Sequence, residues 1–194
     1  MARTRFDAAY YARFYRDPRR RVGSQKGTER LARFVASYLA HLDVKVKSVL
    51  DLGCGLGWWR APIESAIPGA RWRGVEHSEH VCRELGWEQG SVVDYAGRPA
   101  DLVICQGVLQ YLTDREATRA LTTLARTSKK ALYLEAVTRE DWDEVLDRER
   151  SDDEIEVRPL AFYREGLIRR GFVPCGGGLF VKGEAATLFA LERG

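Results

Sequence analysis

The sequence is poor in the residues that build metal centres and disulfide frameworks. Its 194 residues include four cysteines, three histidines and one methionine. The cysteines are widely spaced and form no Cys-x-x-Cys pair, so neither a zinc site nor a disulfide scaffold is indicated. No cluster has the spacing of metal ligands, which disfavours a magnesium-assisted reaction. We therefore expect reduced cysteines and no bound metal.

Long hydrophobic runs are also missing. No apolar stretch approaches the roughly 20 residues that a membrane span requires, and the first residues lack the apolar core of a secretory signal. With 45% hydrophobic and 30% charged residues, the composition is typical of a globular protein. We expect one cytoplasmic domain, monomeric or homodimeric, without membrane association, with N-terminal helices over 1–45 and an α/β core over 46–194.

The net charge of +3 conceals two opposed segments. Residues 1–33 carry ten Lys and Arg against three Asp and Glu, whereas residues 135–156 carry eleven Asp and Glu against three Arg. Two solvated helical faces are the preferred interpretation. The functional alternatives are an anionic partner for the basic segment and a cationic substrate under the acidic segment.

Short apolar runs alternate with helical patterns through the middle of the chain. Strands are predicted at 47–52, 71–76, 90–94, 101–105 and 130–135, and the clearest helix at 115–127. This alternation predicts right-handed crossovers and a mainly parallel, doubly wound α/β sheet with helices on both faces.

The C-terminal region completes a predicted seven-stranded sheet. A short helix at 163–170, capped by Gly171, precedes two strands near 172–182 and 186–192. Their closeness predicts an antiparallel hairpin at the edge of the sheet.

Aromatic residues recur at helical spacing ahead of the first strand. They form two rows, Phe6-Tyr10-Phe14 and Tyr11-Tyr15, in a helix that ends before Pro18. A second helix is expected from about residue 28, and its apolar side is predicted to comprise Leu31, Phe34, Val35, Tyr38 and Leu39.

The first strand runs into a glycine-rich turn, DLGCGLG at 51–57. Glycine lets the backbone approach a ligand closely, and doubly wound folds bind ligands at the carboxyl ends of their strands. A tight turn without a ligand fits the same pattern. The spacing differs from the Gly-x-Gly-x-x-Gly of dinucleotide binders, which disfavours a dehydrogenase. Asp51 suits a ligand that carries an ammonium group better than a pyrophosphate.

Two further acids end the next predicted strands. Glu76 lies 25 positions after Asp51, and a carboxylate there suits hydrogen bonds from ribose hydroxyls. Asp94 is followed by Tyr95, a pair suited to accept from an adenine amine and to cover its ring.

Taken in order, these segments resemble the four motifs of the class I S-adenosylmethionine-dependent methyltransferase family. The first motif is similar to VLDLGCGLG at 49–57 and the second to GVEHS at 74–78. The third resembles GSVVD at 90–94 and the fourth DLVICQGVLQYL at 101–112.

The resemblance implies a Rossmann-like fold that binds S-adenosylmethionine and releases S-adenosylhomocysteine. It places the backbone of Gln106 and Gly107 against the methionine part of the cofactor. It also implies that the N-terminal helices form a lid, for which Tyr10, Tyr11 and Tyr15 are candidates; an aromatic row that packs one helix onto the sheet is the alternative. The predicted cofactor-binding residues are Asp51, Gly53, Cys54, Gly55, Gly57, Trp58, Glu76, His77, Val93, Asp94, Tyr95, Gln106, Gly107 and Tyr11.

Two departures from the family pattern bear on the substrate. Trp58 and Trp59 stand where the family often has smaller or polar residues, and they either wall the pocket or pack the first helix. The fourth strand lacks the Asn/Asp-Pro-Pro-Tyr sequence that in the family marks methylation of adenine or glutamine amino groups, so those substrates are disfavoured.

The acceptor side of the site should be built by residues that follow the fourth and fifth strands. Methyl transfer is an in-line displacement, for which the protein mainly aligns the groups and excludes water. Tyr111 is predicted to orient the acceptor, and Glu135 to act as a base or as a partner for an amine. A plain structural role is the alternative for each. The candidates on this side are Gln106, Gln110, Tyr111, Glu135, Arg139 and Trp142.

The preferred function is methyl transfer to a small-molecule acceptor. One alternative is an RNA or protein methyltransferase that uses the run Arg19-Arg20-Arg21, although a net charge of +3 is modest for a nucleic-acid partner. A second alternative is a protein that binds S-adenosylmethionine without catalysis.

Overall fold

Seven strands form one sheet in the computed structural model, which describes residues 6–17, 23–147, 152 and 154–194. The strands are β1 (Ser48–Leu52), β2 (Arg71–Glu76), β3 (Glu88–Gln89), β4 (Ala100–Gln106), β5 (Ser128–Glu135), β6 (Phe172–Pro174) and β7 (Leu179–Lys182). Their order across the sheet is β3-β2-β1-β4-β5-β7-β6. Neighbours among β1 to β5 are parallel, whereas β7 runs antiparallel to both β5 and β6. The predicted parallel sheet with an antiparallel C-terminal hairpin is therefore confirmed.

Helices connect the strands and cover the sheet. They are α1 (Ala8–Tyr11), which continues as a π-helical turn (Ala12–Arg16), α2 (Gln25–His41), α3 (Arg60–Ala66), α4 (Glu79–Leu85), α5 (Asp114–Thr127), α6 (Arg139–Glu144) and α7 (Leu160–Ile168). Short 3-10 turns lie at Leu109–Tyr111 and Ala190–Glu192. None of the helices in the described ranges has the length and apolar character to cross a membrane.

The central strand β4 supplies side chains to two separate cores. Leu102 and Ile104 pack with residues of α2 and α3, whereas Val103 and Cys105 pack with residues of α5 and α7. All four side chains are fully buried. Successive side chains of a strand point to opposite faces, so a strand covered on both sides is apolar throughout. This packing confirms the prediction of helices on both faces.

The third strand is not where the sequence predicted it. Residues 90–94 form a turn, and the short strand β3 directly precedes them. The turn is closed by Tyr95 N, which donates to Ser91 O at 2.8 Å. Val92 is buried in the core beneath the sheet, so its apolar character serves packing rather than a strand.

The C-terminal hairpin lies within 172–182, and the strand predicted at 186–192 is wrong. Gly176, Gly177 and Gly178 all have positive φ, at 79°, 56° and 77°, and they form the turn between β6 and β7. Glycine adopts a positive φ without a steric penalty, whereas other residues are strained there, so this turn requires glycine at three consecutive positions. Residues 186–192 form a loop with a 3-10 turn.

Helix α2 begins three residues before its predicted start. The Ser24 side chain caps it by accepting from Gly27 N at 3.0 Å. Val35 and Leu39 are buried as predicted, but Phe34 is 44% exposed. A Cβ at Gly177 would lie 2.9 Å from the Phe34 ring, so this ring covers the glycine turn of the hairpin instead of entering the core.

A buried arginine fastens the segment after β5 to the loop after β4. Arg158 is 4% exposed; its Nη1 donates to Leu109 O at 3.0 Å and its Nη2 to the Leu112 carbonyl. Its Nε donates to Asp114 Oδ1 at 2.8 Å. These contacts supply donors to the carbonyls of the first residue of the 3-10 turn and of the residue that follows it, and they hold that loop against the rest of the chain.

We expect Arg158→Met to lower the free energy of unfolding by about 1–3 kcal/mol, because it removes the donors to the buried Leu109 carbonyl and to the half-buried Leu112 carbonyl. Asp114 is largely exposed, so the ion pair itself adds little to this value. Urea denaturation measures the change. The matched control is Arg169→Met, which removes an exposed pair with Glu165 and should cost less than about 0.5 kcal/mol. Equal losses in the two variants would contradict a structural role for Arg158.

Candidate active site

The glycine-rich turn is tied to β2 by its backbone. Gly53 N and Cys54 N both donate to Val75 O, at 2.8 and 3.1 Å. Gly53 has a φ of 83°, and a Cβ there would lie 2.3 Å from Val108 Cγ2. Only glycine fits this position, because both the backbone conformation and the neighbouring side chain exclude a larger residue.

The Glu76 carboxylate connects the turn to the end of β2. Oε2 accepts from Gly55 N at 2.8 Å, and Oε1 accepts from His77 N and Ser78 N, each at 2.8 Å. The side chain is 5% exposed. Three backbone donors thus hold the carboxylate in one orientation at the carboxyl edge of the sheet.

Trp87 supports the turn from the other side, a role that the sequence interpretation missed. Its Nε1 donates to Gly55 O at 3.0 Å. A Cβ at Gly57 would lie 2.7 Å from the Trp87 ring, so the indole packs directly on the turn. The signal available in the sequence was a tryptophan directly after a helix-capping glycine, Gly86. In the structure Gly86 has a φ of 73°.

A cavity of about 260 Å³ opens at the carboxyl ends of β1, β2 and β4. It lies where the strand order reverses, between β1 and β4, which is the usual ligand position in doubly wound folds. Its walls are the glycine-rich turn, the end of β2, the turn after β3 and the segment after β4.

The N-terminal segment closes the cavity with aromatic rings. Phe6 packs edge-on against Tyr10 and Tyr111, at centroid distances of 5.0 and 5.2 Å. Two hydrogen bonds hold the segment down. Ser78 Oγ donates to Phe6 O at 2.6 Å, and Tyr10 OH donates to Tyr111 OH at 2.9 Å. The segment therefore has the placement of a lid over the site.

The lid phenols remain protonated at neutral pH. Burial is the main cause that raises the pKa of Tyr10, Tyr11 and Tyr15 far above the ordinary value of a phenol. The negative charge of Glu76 acts in the same direction on Tyr11 and Tyr15. All three side chains are thus neutral groups that offer hydrogen-bond donors and aromatic faces to the cavity.

Gln106 is held in a chain of side-chain hydrogen bonds at the end of β4. Trp59 Nε1 donates to Gln106 Oε1 at 2.7 Å. Gln106 Nε2 donates to the Glu135 carboxylate, 3.2 Å from Oε1 and 3.1 Å from Oε2. Both ends of the amide have protein partners, and the adjoining Gly107 N donates to Glu135 O at 2.9 Å, so this segment is fixed to the end of β5.

Asp51 is sealed beneath the turn and does not line the cavity. Its side chain is 1% exposed, and Oδ2 accepts no hydrogen bond from the described residues. Burial, reinforced by the negative charge of Glu76, raises the pKa of Asp51 to about 8, while the nearby Trp72 indole acts in the opposite direction. This carboxyl is therefore mostly protonated at neutral pH, a state that the sequence did not indicate.

The structure brings many of the predicted site residues together around the cavity and places others behind it. Those that line the cavity are Tyr10, Tyr11, Tyr15, Gly53, Gly55, Glu76, His77, Val93, Gln106, Gly107 and Tyr111. Those outside the lining are Asp51, Cys54, Gly57, Trp58, Asp94, Tyr95, Gln110, Glu135, Arg139 and Trp142. Tyr95 is buried in the core, Asp94 is exposed, and the Trp58 ring lies edge-on to Tyr15 at 5.5 Å.

Several cavity residues were not predicted. Ser91, Val92, Val108 and Leu112 belong to the third and fourth motif segments, where only their neighbours had been assigned. Glu116 also lines the cavity, and Thr113 holds its carboxylate by donating from N and Oγ1 to Oε2 at 2.9 and 2.7 Å. Among the described residues there is no group of three His, Cys, Asp or Glu side chains placed to hold a metal ion.

No protein-family model matches the chain, and no curated protein matches it in sequence. Solved structures do match. The magnesium protoporphyrin IX methyltransferase ChlM from Synechocystis, with bound SAH, is similar with a TM-score of 0.64 and 17% identity. That match covers 92% of this chain and 97% of ChlM.

Two further structures give the same picture. DesVI from Streptomyces venezuelae matches with a TM-score of 0.61 and 18% identity, over 79% of this chain and 90% of DesVI. The sugar N-methyltransferase KedS8 from Streptoalloteichus matches with a TM-score of 0.60 and 19% identity, over 84% of this chain and 89% of KedS8. The fold is therefore the class I methyltransferase fold that the sequence motifs predicted.

Protonation of Asp51 should make the stability of the protein depend on pH. Its folded pKa of about 8 lies above its ordinary value of 3.8, so between these values the folded chain keeps a proton that the unfolded chain has released. This group therefore lowers the free energy of unfolding as pH rises from about 4 to about 8. Asp51→Asn should remove that part of the slope in urea denaturations between pH 5 and pH 8.

The control is Asp101→Asn. Burial opposes ionisation of Asp101, but hydrogen bonds from Lys47 N and Ser48, together with the charges of Lys130 and Lys129, outweigh it and lower its pKa. The stability that ionised Asp101 contributes is lost only below about pH 4. Asp101→Asn should therefore keep the slope of the parent protein between pH 5 and pH 8. If the free energy of unfolding of Asp51→Asn depended on pH as steeply as that of the parent protein, Asp51 would not be protonated in the folded state.

Proposed function

We propose that the chain is an S-adenosylmethionine-dependent methyltransferase that acts on a small-molecule acceptor. The observation that carries the proposal is the cavity at the β1–β4 switch point. Its walls include the glycine-rich turn, the backbone-held Glu76 and the Gln106-Gly107 segment. The known structures ChlM and KedS8 share the fold and are named for a porphyrin and a sugar acceptor, which supports the small-molecule assignment.

The residues around the cavity fit the nucleoside part of the cofactor. A carboxylate can accept about four hydrogen bonds. Backbone donors already fill three of these positions on Glu76, so one is left for a ribose hydroxyl. Val93, His77 and the turn after β3 form the wall beside it. We assign Asp51, Cys54, Gly57, Trp58, Asp94 and Tyr95 a supporting role around this wall.

The lid residues fit the reacting end of the site. The bound cofactor supplies a methyl group on a positively charged sulfur. The faces of Tyr11 and Tyr15 offer cation–π attraction to such a charge, and the aromatic lid excludes water from it. Tyr111 lies at the junction of lid and cavity, where its phenol is placed to orient an acceptor for in-line attack.

The lid has to move before both ligands enter. A volume of about 260 Å³ is below the range of roughly 300–1,000 Å³ that is usual for ligand pockets. Two hydrogen bonds, from Ser78 to Phe6 and from Tyr10 to Tyr111, hold the lid in place. At about 0.5–1.5 kcal/mol each, they are weak enough to break when a ligand enters.

Nothing at the cavity favours a nucleic-acid partner. The described lining residues include no Lys or Arg, although such partners are gripped by basic side chains. The run Arg19-Arg20-Arg21 lies outside the described residues, so its role remains a prediction. A protein that binds the cofactor without catalysis is the remaining alternative, and turnover assays separate it from an enzyme.

We expect S-adenosylhomocysteine to bind the protein in a calorimetric titration and to raise its melting temperature. Glu76→Gln should raise the Kd at least tenfold, about 1.4 kcal/mol, because an amide cannot accept from all three backbone donors and from a ribose. Glu79→Gln, which alters an exposed carboxylate paired with Arg83, should bind like the parent protein. Circular dichroism of each variant checks that the fold is retained.

Two results would contradict the assignment. Equal affinity of Glu76→Gln and the parent protein would remove Glu76 from the cofactor site. Binding of NADH with no response to S-adenosylhomocysteine would replace the methyltransferase with a dehydrogenase.

A further inference from the structure

The carboxylate of Glu135 is held in place at the carboxyl end of β5. Gln106 Nε2 contacts both of its oxygens, and Tyr133 OH donates to Oε2 at 2.7 Å. The Trp59 indole in turn fixes Gln106. The side chain of Glu135 is nevertheless exposed, so neutral donors orient this carboxylate while part of it stays open to an incoming group.

Within the described part of the chain, the charge of Glu135 has no cationic partner. Among the residues that the structure describes, no Lys, Arg or His forms an ion pair with it. Its partners Gln106 and Tyr133 are both neutral. A rigid carboxylate without a positive partner attracts a cationic ligand more strongly than one that already belongs to a salt bridge.

The neighbouring cavity has the same electrostatic character. Glu76 and Glu116 line it, and the described lining residues include no Lys or Arg. The charge of Glu135 reaches the lid: burial is the main cause that raises the pKa of Tyr15, and Glu135 adds to it. An anionic acceptor would therefore meet repulsion at this site and find no basic partner among these residues.

The position of Glu135 along the sheet separates it from the proposed cofactor groups. Glu76 ends β2 and Glu135 ends β5, three strands further along the order β2-β1-β4-β5. At about 4.8 Å per strand, the two carboxylates terminate strands roughly 14 Å apart. The proposed cofactor contacts occupy the β2, β1 and β4 ends, so β5 lies on the side from which an acceptor approaches.

We propose that the acceptor is a small amine and that Glu135 recognises its cationic form at the end of β5, beside the cavity wall formed by Gln106. This inference rests on the proposed methyltransferase function and adds the substrate class to it. The Tyr15 and Tyr111 rings at the cavity provide aromatic faces for the same cation. Glu135 thereby becomes the residue that determines acceptor specificity.

The reaction balances without any further reagent. The bound ammonium releases one proton to water, which frees the nitrogen lone pair. That lone pair forms the N–C bond while the S–C bond breaks, and the electron pair of the broken bond remains on sulfur. The products are the methylated ammonium and S-adenosylhomocysteine, with one proton released and no change of oxidation state.

The test uses matched probes that differ in one group: 2-phenylethylamine against 2-phenylethanol, and glucosamine against glucose. Binding to the protein saturated with S-adenosylhomocysteine is measured by NMR, and transfer of a labelled methyl group from S-adenosylmethionine is measured separately. We expect the amine of at least one pair to bind and to accept the methyl group in preference to its alcohol.

Glu135→Gln should lower kcat/KM for that amine at least tenfold, mainly through KM, and abolish the preference over the alcohol. The Kd of S-adenosylhomocysteine should stay within twofold. Glu144→Gln removes the same charge from an exposed position of α6 outside the cavity lining and should keep the preference. A merely structural role of Glu135 would affect both members of a pair alike.

The outcomes distinguish the two proposals. Failure of the parent protein to bind S-adenosylhomocysteine would overturn the methyltransferase assignment. Normal cofactor binding with no preference for the amine in either pair would overturn the amine inference alone. Weaker S-adenosylhomocysteine binding by Glu135→Gln would assign Glu135 to the cofactor and overturn the inference as well.

Discussion

The hydrogen bonds of the Glu76 carboxylate are the interaction on which the rest of the site depends. One oxygen accepts from Gly55 in the glycine-rich turn, and the other accepts from His77 and Ser78 after β2. Two loops that follow different strands are thereby fixed to each other. Ser78 then donates to Phe6 and so connects the lid to the same framework. Loss of this carboxylate would remove the side-chain link between the turn and the β2 loop and leave only the backbone bonds of Gly53 and Cys54 and the support from Trp87.

Aromatic packing holds the lid closed but still allows it to open for a ligand. Tyr10, Tyr11 and Tyr15 bury a large apolar area, but each also carries a phenol, so each is suited to a surface that alternates between protein and ligand contacts. One phenol-to-phenol hydrogen bond, from Tyr10 to Tyr111, joins the lid to the segment after β4. An all-phenylalanine lid would lack this directional contact, and a stronger ion pair would hinder entry of a ligand.

The carboxyl groups at the two ends of the site differ in burial and protonation. Buried Asp51 lies near Glu76, and this proximity helps keep Asp51 protonated. Glu135 sits at the other end, exposed and held by neutral donors. Arg158 is fully committed to the loop carbonyls and Asp114, so its charge stabilises the loop rather than the cavity. Among the described residues that line the cavity, the acidic side chains Glu76 and Glu116 therefore face no Lys or Arg.

The sequence by itself determined the features that depend on neighbouring residues. The apolar runs of β1 and β2 and the glycines of the following turn set the local conformation, and from them the fold and the place of Glu76 at the end of β2 were predicted. Only the tertiary structure decided which side chains meet across the sheet. The protonated Asp51, the link from Trp59 through Gln106 to Glu135, and the support from Trp87 all join residues from separate strands or loops. Their distances depend on strand order and core packing, which act over the whole chain, so no local pattern contains them.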